Sequence, residues 1–204
     1  MKIGITGGIG SGKSYVCRRL EARGIEVYDC DTAAKRLIAT SPDIRRALTA
    51  LIGPETYIQD GETRKGKGER MMEGGGYRLN KAVVAQFLLA SEENARAIDA
   101  IVHPAVFRDF EQSGMLWMES AILFESGAYR LIDKAIVVSC PDETRIRRVM
   151  QRDGISREKV LEWMSRQLPQ EEVRQRADFE IINDGIADID EQLNIILRQC
   201  NRPF

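Results

Sequence analysis

The run Gly7-Gly8-Ile9-Gly10-Ser11-Gly12-Lys13-Ser14 constrains this chain more than any other feature. It satisfies G-x-x-x-x-G-K-[ST] and stands between a β-compatible segment, Lys2 to Thr6, and a helical pattern from Lys13 to Glu21. In that context the motif is a P-loop: a strand delivers the chain to a glycine turn, and the turn opens a helix. Glycines let successive backbone N–H groups converge on phosphate oxygens without a Cβ in the way. Lys13 is placed to reach the β- and γ-phosphates and Ser14 to ligand Mg²⁺, while the helix dipole favours the anion. The residues expected around the nucleotide are Gly8, Ile9, Gly10, Ser11, Gly12, Lys13, Ser14 and Tyr15. A dinucleotide fingerprint fails on spacing, because Lys13 and Tyr15 fill the third-glycine positions counted from Gly8 and Gly10.

The rest of the chain supplies a framework for such a loop. Gly24 closes the first helix, Ile25 to Tyr28 reads as a second strand, and Thr32 to Ala39 as a helix. Leu116 to Glu119, Ala135 to Ser139 and Glu180 to Ile182 are three further strands, followed by an amphipathic helix around Ile189 to Leu197. Strands separated by helices predict an α/β fold, a five-stranded parallel sheet flanked by helices. The long, mainly helical stretch between the second and third strands exceeds a simple crossover and predicts a lobe outside the sheet. Within it, Arg64 to Gly76 is expected to be an exposed, mobile loop.

Composition narrows the class. Of 204 residues, 43% are hydrophobic and 30% charged, which excludes a disordered chain. Thirty Lys and Arg against 31 Asp and Glu give a net charge of −1, with no electrostatic footprint for nucleic acid or an anionic membrane. No apolar run approaches the ~20 residues of a membrane span. The N-terminus runs straight into the motif, so no signal peptide is expected. Cys17, Cys30, Cys140 and Cys200 lie far apart and read as free thiols in a reducing, cytoplasmic compartment.

A GTPase switch needs D-x-x-G and N-K-x-D. No Asp here has Gly three residues on, and Asn80-Lys81-Ala82-Val83 lacks the final Asp. The length is short for a large motor. A small kinase using ATP on a small acceptor remains. Asp29-Cys30-Asp31 follows the second strand, where carboxylates point into the ligand crevice of a parallel sheet. A monophosphate acceptor is already an anionic nucleophile and gains little from a base, whereas a hydroxyl must lose its proton, and Asp is the usual recipient. Paired carboxylates near a P-loop also suit the hydration shell of Mg²⁺. A plainer reading stays open, in which Asp31 caps the following helix and Asp29 is solvated.

Thr6 to Ser14 together with Tyr28-Asp29-Cys30-Asp31 closely resembles the dephospho-coenzyme A kinase family. The resemblance continues through His103-Pro104, Leu123-Phe124-Glu125, Met150-Gln151-Arg152-Asp153 and Ala177-Asp178 with Asn183 and Gly185, spanning nearly the whole chain. It implies transfer of the ATP γ-phosphoryl to the ribose 3′-hydroxyl of dephospho-CoA, on a fold like that of the nucleoside monophosphate kinases. It also implies a single domain, with a core of residues 1–30, 114–140 and 177–204, an acceptor lobe of about 31–113 and a lid of about 145–176. The general base falls on Asp31, with Asp29 near metal and acceptor, and His103 and Glu125 on the acceptor side. Three positions depart from the pattern: Ala121 stands for Pro, Glu119 for a common Asp, and Tyr15 for Thr. Glu119 keeps a carboxylate for a metal-water role, and Tyr15 crowds its position while sparing the backbone cradle.

His103, the only histidine, precedes Pro104 at an expected helix end, and Glu125 reads either as a local packing residue or as a site carboxylate. Arg145, Arg147, Arg148, Arg152 and Arg157 form a basic cluster that is either a solvated face, with Glu143 as partner, or a phosphate-neutralising lid. Arg148 and Arg152, four apart on one helix face, are the catalytic candidates, joining Lys13, Asp29 and Asp31. Trp117 and Trp163 read as packing. A shikimate kinase-like enzyme and a non-catalytic nucleotide-binding regulator are the alternatives. The implied assembly is a monomer or small homo-oligomer.

Overall fold

A computed structural model of the chain describes residues 1–59 and 76–200. Apart from Gly76, the loop expected at Arg64 to Gly76 lies outside the described residues.

The sheet follows from where apolar residues run without interruption. β1, Ile3–Thr6, is buried at every position, and β6, Lys134–Ser139, at all but its first. Strands covered by helices on both faces need such runs, because neither side meets water. β2 (Val27–Asp29), β5 (Trp117–Glu119) and β7 (Phe179–Ile182) complete five parallel strands in the order β2-β5-β1-β6-β7. β1 is therefore central, and its C-terminal end opens directly into the glycine run. Helix α1, Lys13–Glu21, buries Val16, Cys17 and Leu20. The last helix, Ile189–Cys200, buries Ile189, Leu193 and Ile196, and both stripes join one cluster with Ile3, Ile5, Ile136, Val138 and Ile181. At about 25 cal/mol per Å² of apolar surface, such side chains contribute roughly 1.5–3 kcal/mol each.

Residues Met1–Cys30 and Phe110–Phe204 form one compact unit, and Asp31–Asp109 a second. The second holds α2 (Cys30–Thr40, from its second residue), α3 (Pro42–Ile52), α4 (Lys81–Ala90) and most of α5 (Glu92–Ser113). Ala33, Ile44, Leu48, Val102 and Val106 are buried there. Ser41 caps α3 by accepting from the Ile44 N–H at 3.3 Å, with Pro42 at the first helical position.

Several expectations need correction. The helical lobe also contains two short antiparallel strands, β3 (Tyr57–Gln59) and β4 (Tyr77–Leu79), paired Tyr57 to Leu79. Three-residue strands leave no readable period in the sequence, and their pairing is non-local. Pro104 does not end a helix but lies inside α5. The buried Val102 and Val106 on either side of it show packing outweighing one missing N–H. β2 runs one residue further than expected and α2 begins at Cys30, so Asp29 closes the strand and Asp31 sits in the first turn of the helix. Pairing with β5 sets that boundary. No helix among the described residues is long and apolar enough to cross a membrane.

In the larger unit, α6 (Asp142–Asp153), α7 (Arg157–Ser165) and α8 (Gln170–Arg176) follow β6. Ile146, Val149 and Val160 make a second small core, and Ile9 of the glycine run packs against it.

Candidate active site

The glycine run is held from behind by residues far away in sequence. Gly10 adopts φ +78°, and a Cβ there would lie 2.6 Å from the Arg145 carbonyl oxygen. Gly12, at φ +88°, is the N-cap of α1, and a Cβ would lie 2.0 Å from Asn183 Nδ2. Both positions need glycine twice over, for backbone sign and for space. Asn183 Nδ2 donates to the Ser11 carbonyl at 2.8 Å. Ile9 is gripped on both sides: its N–H donates to Gln167 Oε1 at 2.8 Å, and its carbonyl accepts from Arg145 Nε at 2.9 Å. The cradle is thus held by the chain's own hydrogen bonds, and such support lowers the ordering cost of binding.

No side chain caps the N-terminal end of α1. The Ser11 hydroxyl, beside it, is buried without a hydrogen-bond partner. An orphaned donor next to an uncapped helix end is the chemistry of an anion site, so the residues present fit a phosphate group.

In front of the cradle, Lys13 Nζ and Ser14 Oγ both reach Glu119 Oε1, the serine at 3.2 Å. Glu119 ends β5 and is registered with Asp29 at the end of β2. Two carboxylates therefore share the C-terminal edge of the sheet beside the P-loop lysine. Their field is visible on the thiols beneath. Burial, reinforced by Asp29 and Glu119, pushes the Cys30 thiol up to about 12. Burial and then Glu119 push the Cys17 thiol upward too. Among the described residues no group of three or more His, Cys, Asp or Glu forms a metal cluster. A divalent ion would rely instead on the Ser14 hydroxyl, phosphate oxygens and water held by the carboxylates, the usual arrangement for Mg²⁺.

The arginines divide. Arg148 Nη1 donates to the Asn183 carbonyl at 3.0 Å, the Ser11 carbonyl at 3.4 Å and Cys140 Sγ at 3.3 Å, placing it against the cradle. Arg152 instead makes two 2.7 Å bonds to the neighbouring Asp153 in solvent. Arg157 pairs with Glu143, the solvated-face partner expected. Arg145 corrects that reading: it is only 5% exposed and backs Gly8, Ile9 and Gly10. Charge spacing carried no sign of this, because the turn of α6 that faces the glycine run is set by Ile146 and Val149 in the core. Gln167 was likewise invisible, since nothing local marks a glutamine that meets Ile9 across the fold. Glu125 accepts from the Leu168 N–H at 3.2 Å, one residue beyond Gln167. In the second unit, Asp31 pairs with Lys35 one turn along α2, and His103 stacks on Phe107 with ring centres 6.1 Å apart. Trp117 is buried in the sheet core, as expected of packing.

Residues 1–188 match the family described as CoaE: dephospho-CoA kinase. The chain belongs to the dephospho-CoA kinase family. It is therefore an enzyme, an ATP-dependent phosphotransferase of coenzyme A biosynthesis. Relatives support this along about nine-tenths of the chain. A Bacteroides fragilis dephospho-CoA kinase is 39% identical over 192 residues, covering 91% of this chain and 85% of that protein. The Porphyromonas gingivalis enzyme is 40% identical over 188 residues, 89% of this chain and 85% of its own. A solved Thermus thermophilus protein superposes with a TM-score of 0.79 at 31% identity, covering 100% of this chain and 98% of that one. An Acinetobacter baumannii shikimate kinase shares the fold alone, with TM-score 0.53 and 15% identity over 98% of this chain and 95% of its own. The shikimate kinase-like and non-catalytic alternatives are not favoured for this dephospho-CoA kinase family member.

Proposed function

We propose that this kinase transfers the γ-phosphoryl group of ATP to the ribose 3′-hydroxyl of dephospho-CoA, and that its own residues divide the work as follows. Backbone amides from Gly8 to Tyr15 cradle the phosphates, and Lys13 exchanges Glu119 for phosphate oxygens when the nucleotide binds. Ser14 would be the protein ligand of Mg²⁺, with Glu119 and Asp29 available to hold its water, and the ion would supply charge neutralisation when bound. Asp31 accepts the hydroxyl proton as the ribose oxygen attacks phosphorus and the bond to the β–γ bridging oxygen breaks, releasing ADP. Arg148 faces the transferring phosphates, and Arg152 joins it once the lid of about 145–176 closes. His103 and Glu125 serve the acceptor, in a lobe of about 31–113. A cavity of about 530 Å³, which shares Gly12 and Arg148 with the cradle, takes the nucleoside of ATP.

The observation that carries this reading is the convergence of Lys13 and Ser14 on Glu119, beside Asp29, at the mouth of a phosphate cradle. We further place the enzyme in the cytoplasm, as a monomer or small homo-oligomer without nucleic-acid or membrane partners, in keeping with its four free cysteines and balanced charge. The test offers ATP and Mg²⁺ with dephospho-CoA, shikimate or a nucleoside monophosphate in parallel. Only dephospho-CoA should be phosphorylated. Preferential turnover of shikimate, or of none, would overturn the assignment.

A further inference from the structure

We infer that Tyr15 is a base-binding residue of the nucleotide site, its ring forming the wall against which the base and ribose of ATP pack. This deepens the nucleotide reading above and rests on it.

Tyr15 follows Ser14 directly and is 43% exposed, unusual for an aromatic in the first turn of a helix that packs on the sheet. It lines the cavity of about 530 Å³ together with Gly12, Arg148, Asn183, Gly185, Ala187 and the start of the last helix at Ile189 and Asp190. That space begins at the cradle, through Gly12, so a nucleoside tethered to phosphates in the cradle has to enter it. The ring is also held in place. Arg19, one turn along α1, sits with its guanidinium carbon 5.9 Å from the Tyr15 ring centre. Asp190 at the start of the last helix fixes Arg19 through a 3.1 Å bond to Nε, and it takes Arg23 Nη2 at 2.6 Å. Arg23 Nη1 in turn donates to the Arg19 carbonyl at 3.0 Å. One ring face is thus supported by a cation whose own position is anchored on two elements. Ile186, an apolar side chain 92% exposed, lies in the chain between the cavity-lining Gly185 and Ala187. An exposed ring lining a cavity that starts at the phosphate cradle offers a flat apolar surface, and a flat heteroaromatic base packs against such a surface. Every base presents a π-face, and stacking on protein aromatics carries much of base affinity. A cation beside the ring adds to its hold.

The test separates the base from the phosphates. Binding of MgATP and of inorganic tripolyphosphate is measured by calorimetry for the wild type, Tyr15→Ala and Tyr15→Phe. We expect Tyr15→Ala to raise the ATP Kd about 5- to 50-fold, the effect of losing one stacked aromatic, with tripolyphosphate unchanged within about twofold. Tyr15→Phe should match the wild type for both, since the face and not the hydroxyl is used. An unchanged ATP Kd in Tyr15→Ala overturns the role of Tyr15 while leaving the nucleotide reading intact. Equal weakening of both ligands also overturns it, because that marks a distorted cradle. A wild type that binds neither ligand sinks the nucleotide reading itself.

Discussion

Lys13 and Asp31 carry the two ends of the proposed chemistry, and they fail differently when changed. Lys13→Ala removes a side chain whose ammonium pairs with Glu119, the carboxylate that Ser14 also reaches. Turnover should collapse while the melting temperature stays near wild type; normal turnover in a folded mutant would remove Lys13 from the mechanism. Asp31→Asn keeps the size and gives up an exposed pair with Lys35, so a purely structural aspartate predicts almost no loss. As general base it predicts a kcat drop of about 10²–10⁴-fold with nucleotide Kd unchanged, measured by steady-state kinetics and calorimetry. The thiols give a pH test. The Cys30 pKa is raised from 9.0 to about 12 in the folded chain, so the native state holds that proton more tightly than the unfolded one. Its contribution to stability is complete below pH 9 and is lost as pH rises toward about 12. Melting temperature should fall across that window, and Cys30→Ser should flatten the fall.

At the scale of elements, α6 with the segment after α7 acts as a brace on the glycine run, through Arg145, Gln167 and the side chain of Ile9. Arg145→Ala strips partners from the Ile9 carbonyl and from Asp142 Oδ1, the latter at 2.9 Å. Losing the part-buried bond to the Ile9 carbonyl should cost about 1 kcal/mol, and a chain of this size loses about 2–4 °C in Tm per kcal/mol. The same mutant should bind ATP more weakly, because the cradle amides lose their support. Leu193→Ala in the last helix makes the contrast: this fully buried side chain should cost roughly 2–5 kcal/mol while ATP affinity in the folded fraction is kept. Differential scanning fluorimetry with and without ATP separates the two. If both mutants lose stability but neither loses ATP affinity, the brace is structural only.

At the scale of the molecule, ligand binding reports on the whole folded state. MgATP at 100 times its Kd should stabilise by about 2.7 kcal/mol, a Tm rise of about 5–11 °C, and Lys13→Ala should abolish most of that shift. Much of this was legible in the sequence, and the reasons differ from part to part. The P-loop is legible because its function is local: eight consecutive residues supply the turn, the amides, the lysine and the hydroxyl. The parallel sheet is legible because double-sided burial forces uninterrupted apolar runs such as Ile136-Val137-Val138. Asp29 and Asp31 are legible by their place after a strand, although their chemical roles remain for the mutants above. The β3–β4 pair, the continuation of α5 through Pro104 and the split between Arg148 and Arg152 were not. Each depends on a partner distant in the chain or on which turn of a helix meets the core. By itself the sequence determined a nucleotide-binding α/β kinase and the residues of its phosphate loop. Only the tertiary structure decided that Arg145, Gln167 and Asn183 shape that loop from behind and that Glu119 gathers Lys13 and Ser14 in front, because hydrogen bonds across 105 to 172 positions leave no periodic trace along the chain.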